Sequence, residues 1–138
     1  MTITHAVFLH YILLILVLLL GLALFRSVLG LSGKVKNLRF APDGSDVSEF
    51  GYRLTRAHMN AVECFPFIGG LLLYAIVTEQ TALTNGLAMT LLLARIAQTV
   101  ILLVSVSRIA IQARFAAFLV QFAICLYWLW LFIQPLMQ

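Results

Sequence analysis

Three residues that could hold a polar ligand follow one another at helical spacing in the stretch RLTRAHMNAVECFPF, at positions 53–67. Arg56, Asn60 and Glu63 stand at i, i+4 and i+7, so they share one face of a helix, whereas His58 points elsewhere. Glu63 would lie about 10 Å inside that helix at a rise of 1.5 Å per residue. A carboxylate at that depth in an apolar segment needs a partner or a ligand.

A second polar face is predicted in the segment LLLARIAQTV, where Arg95 and Gln98 stand three residues apart. Arg95 is the only charge of its apolar run, and we expect it to pair with Glu63. Two interpretations remain open for these groups. They form a structural ion pair that fixes the register of two helices, or they line a pocket for a charged ligand. A third interpretation, proton or ion transport through Glu63 and Arg95, is disfavoured because one acid and one base are too few to form a transport path.

Arg114 stands at the start of the fourth apolar segment and has two possible roles. It could anchor the helix to lipid head groups by snorkelling. It could instead stabilise an anion such as a thiolate, because a guanidinium stays protonated and offers five donors. Metal binding is not predicted, since the three histidines are scattered and no cluster of ligands has metal spacing.

The composition places these residues in a membrane protein. The chain has 138 residues, of which 63% are hydrophobic and 10% charged, with a mean hydropathy of +1.06, whereas soluble domains are about 25% charged. Four segments are long enough to span a bilayer, at about 5–29, 52–77, 83–105 and 113–135. Short connections favour antiparallel neighbours. We therefore predict an all-α, up-down four-helix bundle that forms one domain over residues 1–138.

The distribution of basic residues predicts the orientation. They concentrate in the first loop with its flanks and in the third loop. The positive-inside rule then puts loops one and three in the cytoplasm and both termini outside. Short loops and the lack of a retrieval signal for the endoplasmic reticulum favour a bacterial inner membrane. The basic residues concerned are Arg26, Lys34, Lys36, Arg39, Arg53, Arg56, Arg108 and Arg114.

The cysteines and the tryptophans are predicted to have structural roles only. Cys64 and Cys125 both lie in apolar segments and are expected to be buried small hydrophobes, not a disulfide. Trp128 and Trp130 lie near the end of the fourth segment, where we expect them to join an interfacial aromatic belt.

The stretch RAHMNAVECFPFIGGLLLYA resembles the second-helix signature of the MAPEG family, the membrane-associated proteins in eicosanoid and glutathione metabolism. ARIAQTV is similar to the third-helix segment of that family, and IQARFAAF to the start of its fourth helix. The resemblance covers the whole chain. It implies a four-helix protomer, a homotrimer, and glutathione bound as co-substrate in cytoplasm-facing clefts between protomers.

The resemblance also implies roles for individual residues. Arg56, Asn60 and Glu63 would hold glutathione, and Gln98 takes the position of a histidine in glutathione-using members. Arg114 would be the arginine that stabilises the thiolate, supplied by the neighbouring protomer. A basic residue at the end of the first helix belongs to the same site, and Lys34 or Lys36 stands nearest to it. We expect the trimer to pack through the small residues of the second helix, which are Gly69, Gly70 and Ala75.

The function implied is that of a glutathione transferase or peroxidase acting on lipophilic electrophiles. An arginine beside a thiol favours the thiolate, and the thiolate is the nucleophile. This chain departs from glutathione-using members at Leu102, Phe115 and Phe118, where they have hydroxyl-bearing residues, so the pocket loses hydrogen bonds to a charged ligand. The alternative is a catalytically silent member that binds a lipid or another anion in the same cleft.

Overall fold

Four long helices make up nearly all of the structure. The computed structural model describes residues 1–35, 39–45 and 48–138. In them α1 spans Ile3–Leu31, α2 Glu49–Val77, α3 Thr81–Val104 and α4 Arg108–Ile133, and a 3₁₀ helix, Gln134–Met137, follows α4. The described residues contain no strand. Each of the four helices is long and apolar enough to cross a membrane, so the chain is an integral multi-pass membrane protein.

Capping residues start two of the helices earlier than the apolar pattern suggests. The side chain of Ser48 accepts a hydrogen bond from the backbone nitrogen of Gly51 at 3.0 Å, and that of Ser107 accepts one from Ala110 at 3.2 Å. Such bonds satisfy amides that have no partner within the helix. As a result α4 begins at Arg108, five residues before the apolar segment predicted from residue 113.

Polar contacts between α1 and α3 fix the direction of the helices. The hydroxyl oxygens of Thr4 and Thr84 lie 2.7 Å apart, and the backbone nitrogen of Thr4 donates to Asn85 Oδ1 at 3.0 Å. The two helices therefore begin at the same end of the bundle, which requires an up-down order. We call the opposite end, where α1 and α3 end and α2 and α4 begin, the basic end.

The first loop returns against the basic end of α2. Gly44 has φ +75°, and a Cβ atom added there would collide with the hydroxyl of Thr55 and the backbone carbonyl of Gly51. Glycine is the residue that tolerates both the backbone conformation and the close approach. The loop residue Asp43 is thereby kept close to the first turns of α2.

The core confirms the expectation for the cysteines and overturns it for one tryptophan. Cys64 and Cys125 are buried and unbridged. Trp130 is 57% exposed, as an interfacial residue would be, but Trp128 is fully buried in the core. The belt prediction is therefore wrong for Trp128, because residues two apart on a helix project to opposite sides.

The small residues of α2 do not share one surface. Ala75 and Gly69 are buried inside the protomer, and a Cβ atom on Gly69 would lie 2.5 Å from the ring of Phe65. Gly70 is exposed, with open space around it. Of the three residues expected at the trimer contact, only Gly70 lies on the outer surface. Gly69 instead leaves room for the ring of Phe65 on α2 itself, and Ala75 is part of the protomer core.

Candidate functional site

A cleft of about 310 Å³ lies at the basic end of the bundle, between α2, α3 and α4. The helices α2 and α4 touch each other only sparsely, whereas both pack closely against α3, which closes the space between them. One part of the lining is polar and cationic and the rest is apolar and aromatic. The lining residues are Arg56, Asn60, Gln98, Leu102, Ile111, Arg114, Phe115 and Phe118.

The polar face predicted on α2 enters this cleft in part. Arg56 is exposed and Asn60 half-buried, one turn apart on the wall that α2 contributes. Glu63, the third member of the predicted face, is exposed and does not line the cleft. At this level the inward side of α2 is formed by Ala61 and Cys64, two residues before and one residue after Glu63, and both are buried.

Arg95 has a different partner from the one predicted. It is fully buried, and its Nη1 donates to Asn60 Oδ1 at 2.7 Å. Its guanidinium also lies 5.6 Å from the ring centroid of Tyr11, within the range of a cation–π interaction. The predicted ion pair between Arg95 and Glu63 is therefore wrong. Asn60, one turn before Glu63 on α2, is the side chain that reaches α3.

The buried guanidinium of Arg95 is only partly satisfied. Its Nε and Nη2 atoms have no hydrogen-bond partner among the described residues. The hydroxyl of Tyr11, whose ring covers the guanidinium, donates to the backbone oxygen of Ala61 at 2.8 Å. The charge of Arg95 is thus held beside the cleft by an amide and a ring, both of them neutral.

Gln98 is held by a residue that the sequence analysis missed. Gln98 is 7% exposed, and its Oε1 accepts a hydrogen bond from Gln121 Nε2 at 2.9 Å. Gln121 is 1% exposed and also donates to the backbone oxygen of Ala117 at 2.9 Å. The signal available in the sequence was an amide inside an apolar helix, seven residues after Arg114 and therefore on the same face.

Arg114 lines the cleft of its own protomer. It is half-buried, and its Nε is buried without a hydrogen-bond partner in the described part of the chain. A single protomer thus brings Arg114 to the same cleft as Arg56, whereas the resemblance implied a contribution from the neighbour. Beyond Arg114 the rings of Phe115 and Phe118 stack with centroids 6.4 Å apart, and the ring of Phe122 continues the row at 5.8 Å.

The electrostatics of the cleft favour an anion. Among the described residues its lining contains two guanidiniums and no carboxylate. Among the described residues, Asp43 in the first loop is an acid that interacts electrostatically with Arg56. The side chain and then the backbone N–H of Ser45 donate to that carboxylate and hold its pKa below the ordinary value, and Arg56 lowers the pKa further. Asp43 is exposed to solvent, so water screens most of its effect on Arg56.

Of the two candidates for the basic residue at the end of the first helix, the structure describes Lys34 alone. Lys34 follows α1 and is exposed, and it does not line the cleft. Lys36 lies outside the described residues. Of the predicted ligand groups the structure therefore brings together Arg56, Asn60, Gln98 and Arg114.

Comparison with known proteins agrees with this architecture. Residues 4–134, nearly the whole chain, match the profile of the MAPEG family, and the chain belongs to that family. It is a membrane protein of the group associated with eicosanoid and glutathione metabolism. No curated protein and no solved structure matches the chain.

Proposed function

We propose that the protein is a glutathione-dependent transferase or peroxidase that acts on lipophilic electrophiles. The observation that carries the proposal is the cleft at the basic end. Two arginines and two amides face an apolar, aromatic wall there. The volume of about 310 Å³ is at the lower end of the range for small-molecule sites. Family membership makes glutathione the first ligand to test.

The four polar residues of the lining have two different roles in this proposal. Arg56, Asn60 and Gln98 hold the carboxylates and peptide oxygens of glutathione. Arg114 stabilises the thiolate, because a fixed positive charge beside a thiol favours the ionised form. The thiol proton leaves to water. The sulfur then bonds to the electrophilic carbon, and the leaving group departs with the electron pair of its broken bond. The rings beside Arg114 receive the lipophilic substrate from the bilayer.

A homotrimer is part of the proposal, and Glu63 supports it. This carboxylate is exposed on a helix that crosses the membrane, where contact with lipid would be costly. A neighbouring protomer that covers this face of α2 removes that contact and brings Glu63 to a shared site. Gly70 lies two turns further on the same face, and its open surroundings permit close helix packing. Glu63 would then bind the amino group of glutathione.

The proposed topology follows from the charge distribution. Loops one and three face the cytoplasm and both termini lie outside, in a bacterial inner membrane. The basic end, and with it the mouth of the cleft, then opens to the compartment that holds glutathione. A fusion of a cytoplasm-specific reporter to the C-terminus tests this orientation, since an active reporter there would contradict it.

The test of the function uses the purified protein in detergent. We expect glutathione to bind and to show the ultraviolet absorbance of a thiolate at neutral pH, and an aryl halide to be conjugated. Arg56→Ala should weaken glutathione binding and leave the oligomer intact, whereas Arg114→Ala should abolish the thiolate signal. Arg108→Ala is the matched control, because Arg108 is exposed at the start of α4 and does not line the cleft. Bound glutathione that shows no thiolate signal would contradict the proposed catalytic role of Arg114.

The second candidate is a catalytically silent protein that binds a lipid or another anion in the same cleft. The apolar share of the lining favours it, since four of the eight residues offer no hydrogen-bond donor from their side chains. They are Leu102, Ile111, Phe115 and Phe118. Mass spectrometry of the protein purified in a mild detergent distinguishes the two. A co-purified anionic lipid that glutathione does not displace supports the silent protein.

A further inference from the structure

The hydrogen bonds behind the cleft fix which way its two amides face. Ala117 contributes a backbone oxygen, which can only accept a hydrogen bond, so the atom of Gln121 that lies 2.9 Å from it is the nitrogen, Nε2. That nitrogen also lies 2.9 Å from an atom of Gln98, which must then be the acceptor, Oε1. The amide of Gln98 therefore has its oxygen turned to α4.

The nitrogen of Gln98 is left as the group available to a ligand. Gln98 borders the cleft, and its Nε2 has no hydrogen-bond partner among the described residues. Without Gln121 the amide group of Gln98 could rotate by 180° about χ3 at little cost in free energy, because that torsion is broad and roughly two-fold. An amide free to turn would offer its oxygen to the cleft as readily as its nitrogen.

The same arrangement recurs on the opposite wall. Arg95 has only donors, so the atom of Asn60 that receives its Nη1 is the oxygen, Oδ1. The nitrogen of Asn60 is again the group left for the cleft. Arg95 on α3 and Gln121 on α4 are thus buried donors that bind the oxygens of two amides and leave both amide nitrogens for the cleft. The two arginines of the lining also offer donors only.

We propose that Gln121 is a positioning residue that acts through Gln98, and that it makes the polar lining of the cleft a set of donors alone. The cleft then selects ligands whose polar groups are acceptors, such as carboxylates, phosphates and peptide oxygens. It disfavours ligands that turn donors towards this lining, because N–H groups would then face N–H groups, and the amino group of glutathione is assigned to Glu63 outside it. The inference deepens the proposed function and rests on it for the choice of glutathione as the first probe.

The experiment is a double-mutant cycle on the full chain in detergent. Gln121→Met and Gln98→Met keep the length of the side chain and remove the amide, and Gln112→Met is the matched control on the exposed side of α4. The dissociation constants of glutathione and of inorganic phosphate are measured for each variant by calorimetry. We expect Gln121→Met to weaken binding roughly two- to tenfold, the range for one hydrogen bond, and Gln112→Met to leave it unchanged.

The cycle separates positioning from a merely structural role. If Gln121 acts through Gln98, Gln121→Met has no further effect in the Gln98→Met background. Equal losses in both backgrounds, or no loss in the single variant, would overturn the inference while glutathione binding by the parent protein would keep the proposed function. Phosphate binding with the expected pattern but no glutathione binding would support the inference and overturn the proposed function. Failure of both probes to bind would overturn both.

Discussion

Replacing Asn60 by leucine should destabilise the protein, because it removes the one hydrogen-bond acceptor that the guanidinium of Arg95 has among the described residues. The guanidinium is fully buried, and the bond to Asn60 measures 2.7 Å. Removing one partner of a buried ion pair costs about 3–5 kcal/mol, and a hydrogen bond that involves one charged group, as between Arg95 and Asn60, is worth about 1.5–3 kcal/mol. The ring of Tyr11 stays in place at 5.6 Å and retains part of the stabilisation. We therefore expect a loss of about 2–4 kcal/mol.

The assay is unfolding by sodium dodecyl sulfate in mixed micelles, followed by tryptophan fluorescence. Trp128 is fully buried in the core and should report the loss of packing. A loss of 2–4 kcal/mol corresponds to a change on the order of 10²-fold in the folding equilibrium. The double variant Asn60→Leu/Arg95→Leu should recover most of that loss, because replacing both members of a buried polar pair by apolar groups is often neutral.

Glu63→Gln is the comparison that decides between the two possible partners of Arg95. No ion pair joins Glu63 to Arg95, and the carboxylate is exposed. A neutral amide costs less in a bilayer than a carboxylate, so this variant should be at least as stable as the parent. If Glu63→Gln unfolds as easily as Asn60→Leu, or if Asn60→Leu unfolds at the detergent fraction of the parent, the assignment of Asn60 as the partner is refuted.

Three further outcomes are expected. Arg114→Lys should leave glutathione bound but raise the pKa of its thiol, measured by titration of the thiolate absorbance, because an ammonium lacks the planar fork of a guanidinium. Gly70→Leu should dissociate the trimer on a native gel, whereas Gly69→Leu should destabilise the protomer itself, since its Cβ atom would meet the ring of Phe65. Asn60→Asp should pair with Arg95, raise resistance to sodium dodecyl sulfate, and weaken glutathione binding by adding a negative charge to the cleft wall.

The sequence was sufficient for the helices and for the polar residues of the cleft lining, but not for the partners that hold them. A run of about 20 apolar residues can only span as a helix, since backbone groups in lipid must be satisfied internally. The periodicity on α2 placed Arg56 and Asn60 on one face, and both line the cleft. It could not tell whether Asn60 or Glu63 reaches α3. The two are about one turn apart, and the choice depends on how α2 is rotated against its neighbour, which no local pattern encodes.

Gln121 escaped notice for a related reason. In a soluble helix the inward face is recognised because the outer face is polar, so an amide on the inward face is noticed. The helix α4 meets lipid on one side and protein on the other, and both sides are apolar. The exposed residues Phe122 and Leu126 are as hydrophobic as the buried Ile124 and Cys125. Composition along α4 therefore does not show which side is inward. Only the contact with Gln98 shows that the amide serves the cleft.

The choice of neutral partners around the cleft is consistent with a site for an anion. A helix bundle that needed Arg95 only to fix its register would be better served by a carboxylate at position 60, which would neutralise the charge. Asparagine at that position satisfies one N–H group and leaves the positive charge in place beside the cleft. Charges in a low-dielectric surrounding are weakly screened, so the field of Arg95 adds to that of Arg56 and Arg114. The exposed Glu63, which would cancel part of this field, is kept out of the cleft lining of the protomer.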